Sequence, residues 1–173
     1  MLGRYLKRFS MFELVVAALL AALGIAVKPI VVPLSHIVTG PLLLPGGVVA
    51  GGLYMLWIVL GAALIRKRGT GTLIGLVQAL MVSVTGAYGS HGILSLVTYT
   101  LPGLAVDLTI LIFRKNAASG SAMFAAGAAA NITGTFLSSL VFFRLPLIPL
   151  LLGLCTAALS GGIGGLVACK VAA

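Results

Sequence analysis

The segment Val48-Val49-Ala50-Gly51-Gly52-Leu53-Tyr54-Met55-Leu56-Trp57-Ile58-Val59-Leu60-Gly61-Ala62-Ala63-Leu64-Ile65 carries no charge, and it stops at Arg66-Lys67-Arg68-Gly69. A helix needs about 20 apolar residues to cross the hydrocarbon core of a bilayer. Eighteen such residues closed by a basic cluster read as a transmembrane helix anchored at one interface. The run is continuously apolar and does not alternate, which argues against a strand of a transmembrane barrel.

Working outward, the same pattern recurs. Before this segment, an apolar run from about Phe12 to Val27 ends at Lys28 and Pro29. A loop containing Pro33, His36, Gly40, Pro41, Pro45, Gly46 and Gly47 follows. Proline removes a helical donor and clashes with the preceding turn, so this stretch is expected to leave the helix. After Gly69 come spans of about Thr72 to Thr85, Ile93 to Phe113, Ala122 to Phe143 and Leu147 to Ala168. The turns between them are Gly86 to Gly92, Arg114 to Ser121, and the stretch around Arg144 and Pro146. Six spans use about 120 residues of the 173 present. The expected fold class is therefore an all-α integral membrane protein with one six-helix membrane domain over residues 1–173. The basic N-terminus before an apolar run resembles a secretory signal, but the run is long and leads into further spans. It is read as the first helix.

Charge sets the orientation. Cytoplasmic loops are enriched in Lys and Arg. With the N-terminus inside, Arg4, Lys7, Arg8, Arg66, Lys67, Arg68, Arg114, Lys115 and Lys170 share the cytoplasmic side, and Lys28 and Arg144 fall outside. Both termini are expected in the cytoplasm. The net charge of +9 is explained by this one-sided placement and gives no reason to invoke nucleic acid. Charged residues are 8% of the chain and apolar residues 61%, against about 25% charged in soluble domains.

The chemistry available is sparse. Glu13 and Asp107 are the two acids. Both are expected near cytoplasmic helix ends, Glu13 at the interface and Asp107 either as a structural partner of a nearby cation or as a functional acid. No paired-acid, His-Glu-x-x-His, Gly-x-Ser-x-Gly or Walker A pattern occurs, so no catalytic residues are assigned, no cofactor is expected, and the chain is read as a non-enzyme. His36 and His91 fall in outer loops and read as solvated side chains, without a metal site. Cys155 and Cys169 lie about 21 Å apart along one helix, too far for a disulfide.

The polar and aromatic residues inside the spans say more, because hydrocarbon forces buried polar groups to find partners. Tyr54, Trp57, Gln78, Tyr88, His91, Tyr99 and Asn131 are the candidates for a substrate site. The first loop and the Gly86 to Gly92 loop would form its roof, and a small heteroaromatic ligand would fit the aromatic side chains. Faces of small residues let helices approach closely, either for association with a partner or for packing within the chain. Ala17 and Ala21 share one face of the first span, Ala18, Ala22 and Ala26 another, and Ser160-Gly161-Gly162-Ile163-Gly164-Gly165 repeats the theme in the last.

Six short spans, an Ala-x-x-x-Ala first helix, a Pro/Gly-rich first outer loop and the absence of an ATPase motif together resemble the substrate-binding S-components of energy-coupling factor (ECF) transporters. The segment from Tyr54-Met55-Leu56-Trp57 to Arg66-Lys67-Arg68-Gly69 looks like the subfamily linked to thiamine and its hydroxymethylpyrimidine precursor. Arg68 stands where that subfamily has proline. The likeness continues through Leu76-Val77-Gln78-Ala79-Leu80 and Gly103-Leu104-Ala105-Val106-Asp107, with Gln78 replacing an acid and Asp107 keeping one. The resemblance implies a subunit of an ECF-type ABC importer in a prokaryotic plasma membrane. It would capture a water-soluble vitamin or precursor, first of all a thiamine-related pyrimidine. It would dock through Ala17 and Ala21 on a transmembrane coupling subunit, with two ATPase subunits driving release, and membrane lipid would surround it. The rival readings are a multi-span scaffold subunit of a cell-envelope assembly, which needs no pocket, and a lipid-modifying enzyme, which needs a reactive cluster the sequence lacks.

Overall fold

The computed structural model of the protein describes residues 8–42, 44–86, 92–113 and 118–173. These residues form six α-helices: α1 (Met11–Thr39), α2 (Gly46–Ile65), α3 (Thr70–Thr85), α4 (Ser95–Phe113), α5 (Gly120–Ser138) and α6 (Leu147–Ala172). A 3-10 turn (Gly40–Leu42) follows α1, and a π-helical turn (Ser139–Phe143) extends α5. Helix α2 is central and touches each of the other five, while α1, α3, α4, α5 and α6 follow one another around it. Being apolar on every side suits α2 to that position, and Ile58, Val59 and Leu60 are almost fully enclosed.

Five helices are long and apolar enough to cross a membrane, and the chain is a multi-pass membrane protein. Helix α3 has 16 residues and extends about 24 Å, short of the roughly 30 Å hydrocarbon core. Its ends therefore depend on neighbours. Gly69, in the left-handed conformation at φ 89, precedes it and supplies no capping side chain. The cap comes from α4, whose Asp107 carboxylate accepts from Gly71 N (3.0 Å), Thr72 N (2.7 Å) and Thr72 Oγ1 (2.6 Å). Asp107 thus serves the exposed donors of a helix start; among the described residues its partners are the Gly71 and Thr72 N–H groups and the Thr72 hydroxyl, while Arg114 and Lys115 lie outside the described residues. The approach is close because Gly71 and Gly103 meet backbone to backbone, where a Cβ on either would collide with the other's carbonyl.

The largest departure from the sequence reading lies in α1. It does not end at Val27 but continues as helix through Pro29 and Pro33 to Thr39. The two prolines are four residues apart and share one exposed face, so their rings disturb no packed neighbour. Membrane helices accommodate such prolines by local adjustment of the freed carbonyls. The first connection shrinks to residues 40–45, and Lys28, expected in the outer loop region, sits inside the helix. At 29 residues α1 reaches about 43 Å, longer than the hydrocarbon core is thick. Its start is fixed by a reciprocal cap: Glu13 N donates to Ser10 Oγ and Ser10 N to Glu13 Oε2. Glu13 also pairs with Lys67 at 2.6 Å, tying the α1 start to the α2–α3 turn.

A second correction concerns the alanine faces of α1. Ala17 and Ala21 are 1% and 0% exposed, enclosed in the same core as α2 residues such as Ile58 and Val59. They pack the chain against itself and are not available to a partner. Ala18 and Ala22 are half-buried and Ala26 is exposed, so the second alanine face is the accessible one. The glycine run of α6 likewise packs internally, with Gly161 on α5 and Gly164 on α2.

Candidate ligand cavity

A cavity of about 730 Å³ opens where the C-terminal half of α1, the start of α2 and the end of α5 diverge. Its size lies within the range of small-molecule sites, about 300–1,000 Å³. One wall is a single stripe of α1, with Lys28, Val32 and His36 spaced by one helical turn. The start of α2 contributes Gly46, Gly47 and Tyr54. The far wall is Thr135 and Ser138 of α5 with Phe142 and Phe143 of the π-turn. That turn shapes the wall. Arg144 N donates to Ser139 O (2.6 Å), Leu145 N donates to Ser139 Oγ (3.3 Å), and Arg144 adopts a left-handed φ of 45. The extra residue per turn redirects the two phenylalanines.

The most polar feature is Lys28. Its ammonium lies 4.0 Å from the ring centroid of Tyr99 and 4.6 Å from that of Tyr54, within the range for cation–π attraction. Tyr54 is held in turn by its hydroxyl, which donates to Gly47 O at 2.9 Å. Tyr99 is buried and reaches Lys28 from α4 without lining the cavity itself.

Of the residues singled out in the sequence, the structure brings Tyr54 to the cavity and Tyr99 against the cavity-lining Lys28. Trp57 is half-buried against the core, one turn along α2 from Tyr54, and its Nε1–H has no partner among the described residues. Gln78 is buried against Gly24, with its Nε2 directed at Ala21 O at a long 3.4 Å. Asn131 is fully buried and donates to Val48 O and Ala157 O, both at 3.0 Å. It pins α5 to α2 and α6 and does not line the cavity. Tyr88 and His91 lie outside the described residues. Sequence reading missed Lys28 as a lining residue and set His36 aside as a solvated loop residue. The signal was present as a lone lysine one residue before a proline, but it was read as a helix end.

The sequence pattern of the family described as "ABC-type cobalt transport system, permease component" matches residues 12–133. That is well over half of the chain, and the chain belongs to this family. Among solved structures, it is similar to one described as the crystal structure of an S-component of ECF transporter. The TM-score is 0.78 at 20% identity, over 95% of this chain and 84% of that one. The S-component fold expected from the sequence is therefore the fold of this chain. No curated protein matches it.

Proposed function

We propose that the chain is the substrate-capture subunit of an ECF-type importer, working as one membrane domain in a prokaryotic plasma membrane with both termini inside. The observation that carries this reading is the cavity of about 730 Å³ built on the S-component fold. A scaffold subunit has no need of it. Capture would occur at the end of the bundle opposite the basic Arg66–Lys67–Arg68 turn. A transmembrane coupling subunit and two ATPase subunits would then drive release. The subunit itself performs no catalysis in this reading.

The cargo is a small organic molecule with an acceptor-rich ring. A vitamin or vitamin precursor fits that description, and a pyrimidine remains within it. Tyr54 and Phe142 offer aromatic walls, and Thr135 and Ser138 offer hydroxyls that can donate or accept. The cation thiamine itself fits less well beside Lys28. The family description favours a second reading, cobalt as cargo. Cobalt binds imidazole, thiolate and carboxylate groups. The described part of the cavity offers His36 and the ammonium of Lys28, and the ammonium repels a divalent ion.

Two measurements separate these readings. The chain is purified in mild detergent, and co-bound organic molecules are identified by mass spectrometry while cobalt is quantified by elemental analysis. Organic cargo at near-stoichiometric amount supports the first reading. Stoichiometric cobalt supports the second. Failure to copurify with co-expressed coupling and ATPase subunits would remove the importer assignment altogether.

A further inference from the structure

Lys28 lacks a counter-ion within its own chain. The sequence contains two acids, Glu13 and Asp107. Glu13 is committed to Lys67 and lies fifteen residues down α1, about 22 Å from Lys28 along the helix. Asp107 is committed to the first turn of α3 and lies eight residues beyond Tyr99, about 12 Å along α4. A cation in a membrane helix without a partner is costly and marks function. The rings of Tyr54 and Tyr99 hold the ammonium in place, but a quadrupole does not neutralise a charge. Two helical turns above, on the same stripe of α1, His36 adds a second group able to donate to an anion.

Resting on the capture reading above, we propose that the cavity selects a small organic anion, with a carboxylate or phosphate group seated on Lys28 and the ring between Tyr54 and Phe142. In this arrangement Lys28 determines specificity. The ligand supplies the charge that the chain does not, so loading the cavity neutralises the lysine before the subunit engages its partners.

The test uses the full chain in detergent and matched probes that differ in charge. The pairs are nicotinate and nicotinamide, benzoate and benzamide, orotate and uracil, and hydroxymethylpyrimidine phosphate and hydroxymethylpyrimidine. Binding is read by thermal shift and titration calorimetry on wild type, Lys28→Met and Lys28→Arg. In at least one pair the anion is expected to bind about tenfold or more tightly than its neutral partner. That preference should vanish in Lys28→Met and persist in Lys28→Arg. If in every pair the neutral probe binds as well as its anion, the anion proposal falls while the capture reading stands. An anion preference that survives Lys28→Met also overturns it. So does the absence of binding by every soluble anion, including the case in which only vesicles of phosphatidylglycerol stabilise the protein. Should Lys28→Met fail to fold, the wild-type pairs and Lys28→Arg still decide the matter. Failure of the importer reading is read separately, by copurification with the coupling and ATPase subunits.

Discussion

Asp107 of α4 and Thr72 of α3 are joined twice, since the carboxylate accepts from both the backbone N–H (2.7 Å) and the hydroxyl (2.6 Å) of the same threonine. A helix start has four backbone donors without helical partners, and in a largely apolar bundle water cannot serve them cheaply. Replacing Asp107 by Ala should lower stability by about 1.5–3 kcal/mol, the usual worth of hydrogen bonds to a charged group. Asp107→Asn keeps one acceptor oxygen but loses the charge and turns the other oxygen into an NH2 donor, so it should recover only part of the loss. Thermal unfolding in detergent reads this directly, and an unchanged midpoint in Asp107→Ala would show that the cap carries no stability.

The outline of the fold was legible because hydrocarbon imposes long apolar runs and one-sided charge, and both survive in a single sequence. Helix ends were legible where a basic cluster closes them, as at Arg66. They were misread where proline is the signal. Pro29 and Pro33 usually end a soluble helix, but here both are exposed, Pro33 at the cavity wall, and α1 continues. That single misreading hid Lys28, because a residue assigned to a loop is not considered as part of a cavity wall. Tyr54 was found because an aromatic hydroxyl in an apolar span demands a partner. Gln78 and Asn131 met the same criterion and serve the helix backbone. A polar residue in a span announces that it has a partner, but not whether that partner is a helix or a ligand.

Asn131 and Gly51 form one unit across α5 and α2. A Cβ on Gly51 would overlap the Asn131 amide, and that amide serves Val48 O and Ala157 O. Asn131→Ala should cost about 1–3 kcal/mol, because it leaves two buried carbonyls with fewer donors. Gly51→Ala should also destabilise, by displacing the amide. The double variant should cost clearly less than the sum, since the overlap disappears with the asparagine. Strict additivity in a thermal-unfolding cycle would mean that the two residues do not share a site.

The proposed orientation gives a labelling pattern. In a background with Cys155 and Cys169 replaced by Ala, Lys67→Cys should resist an impermeant thiol reagent added to intact cells, and His36→Cys should react. Both side chains are at least partly accessible in the structure, so a difference between them reports the membrane and not burial. Labelling of Lys67→Cys from outside would reverse the bundle, placing the cavity on the cytoplasmic side and removing the basis for capture.

The two alanine faces of α1 make opposite predictions for assembly. Ala21 is fully enclosed, and a bulky side chain there has no space to occupy. Overpacking of a closed core typically costs about 1–3 kcal/mol or more, so Ala21→Trp should lower stability and yield whether or not a partner is present. Ala22 lies on the accessible side, half-buried between the exposed Leu19 and Leu23 and one turn before the exposed Ala26. A small side chain there lets a second helix approach closely, and a tryptophan would hold it off. Ala22→Trp should therefore fold and bind ligand like wild type, yet fail to copurify with co-expressed coupling and ATPase subunits. If Ala22→Trp assembles normally, α1 does not present the docking surface. If Ala21→Trp is as stable as wild type and blocks assembly, the first alanine face is the docking surface after all, and α1 must pack differently from the arrangement described above.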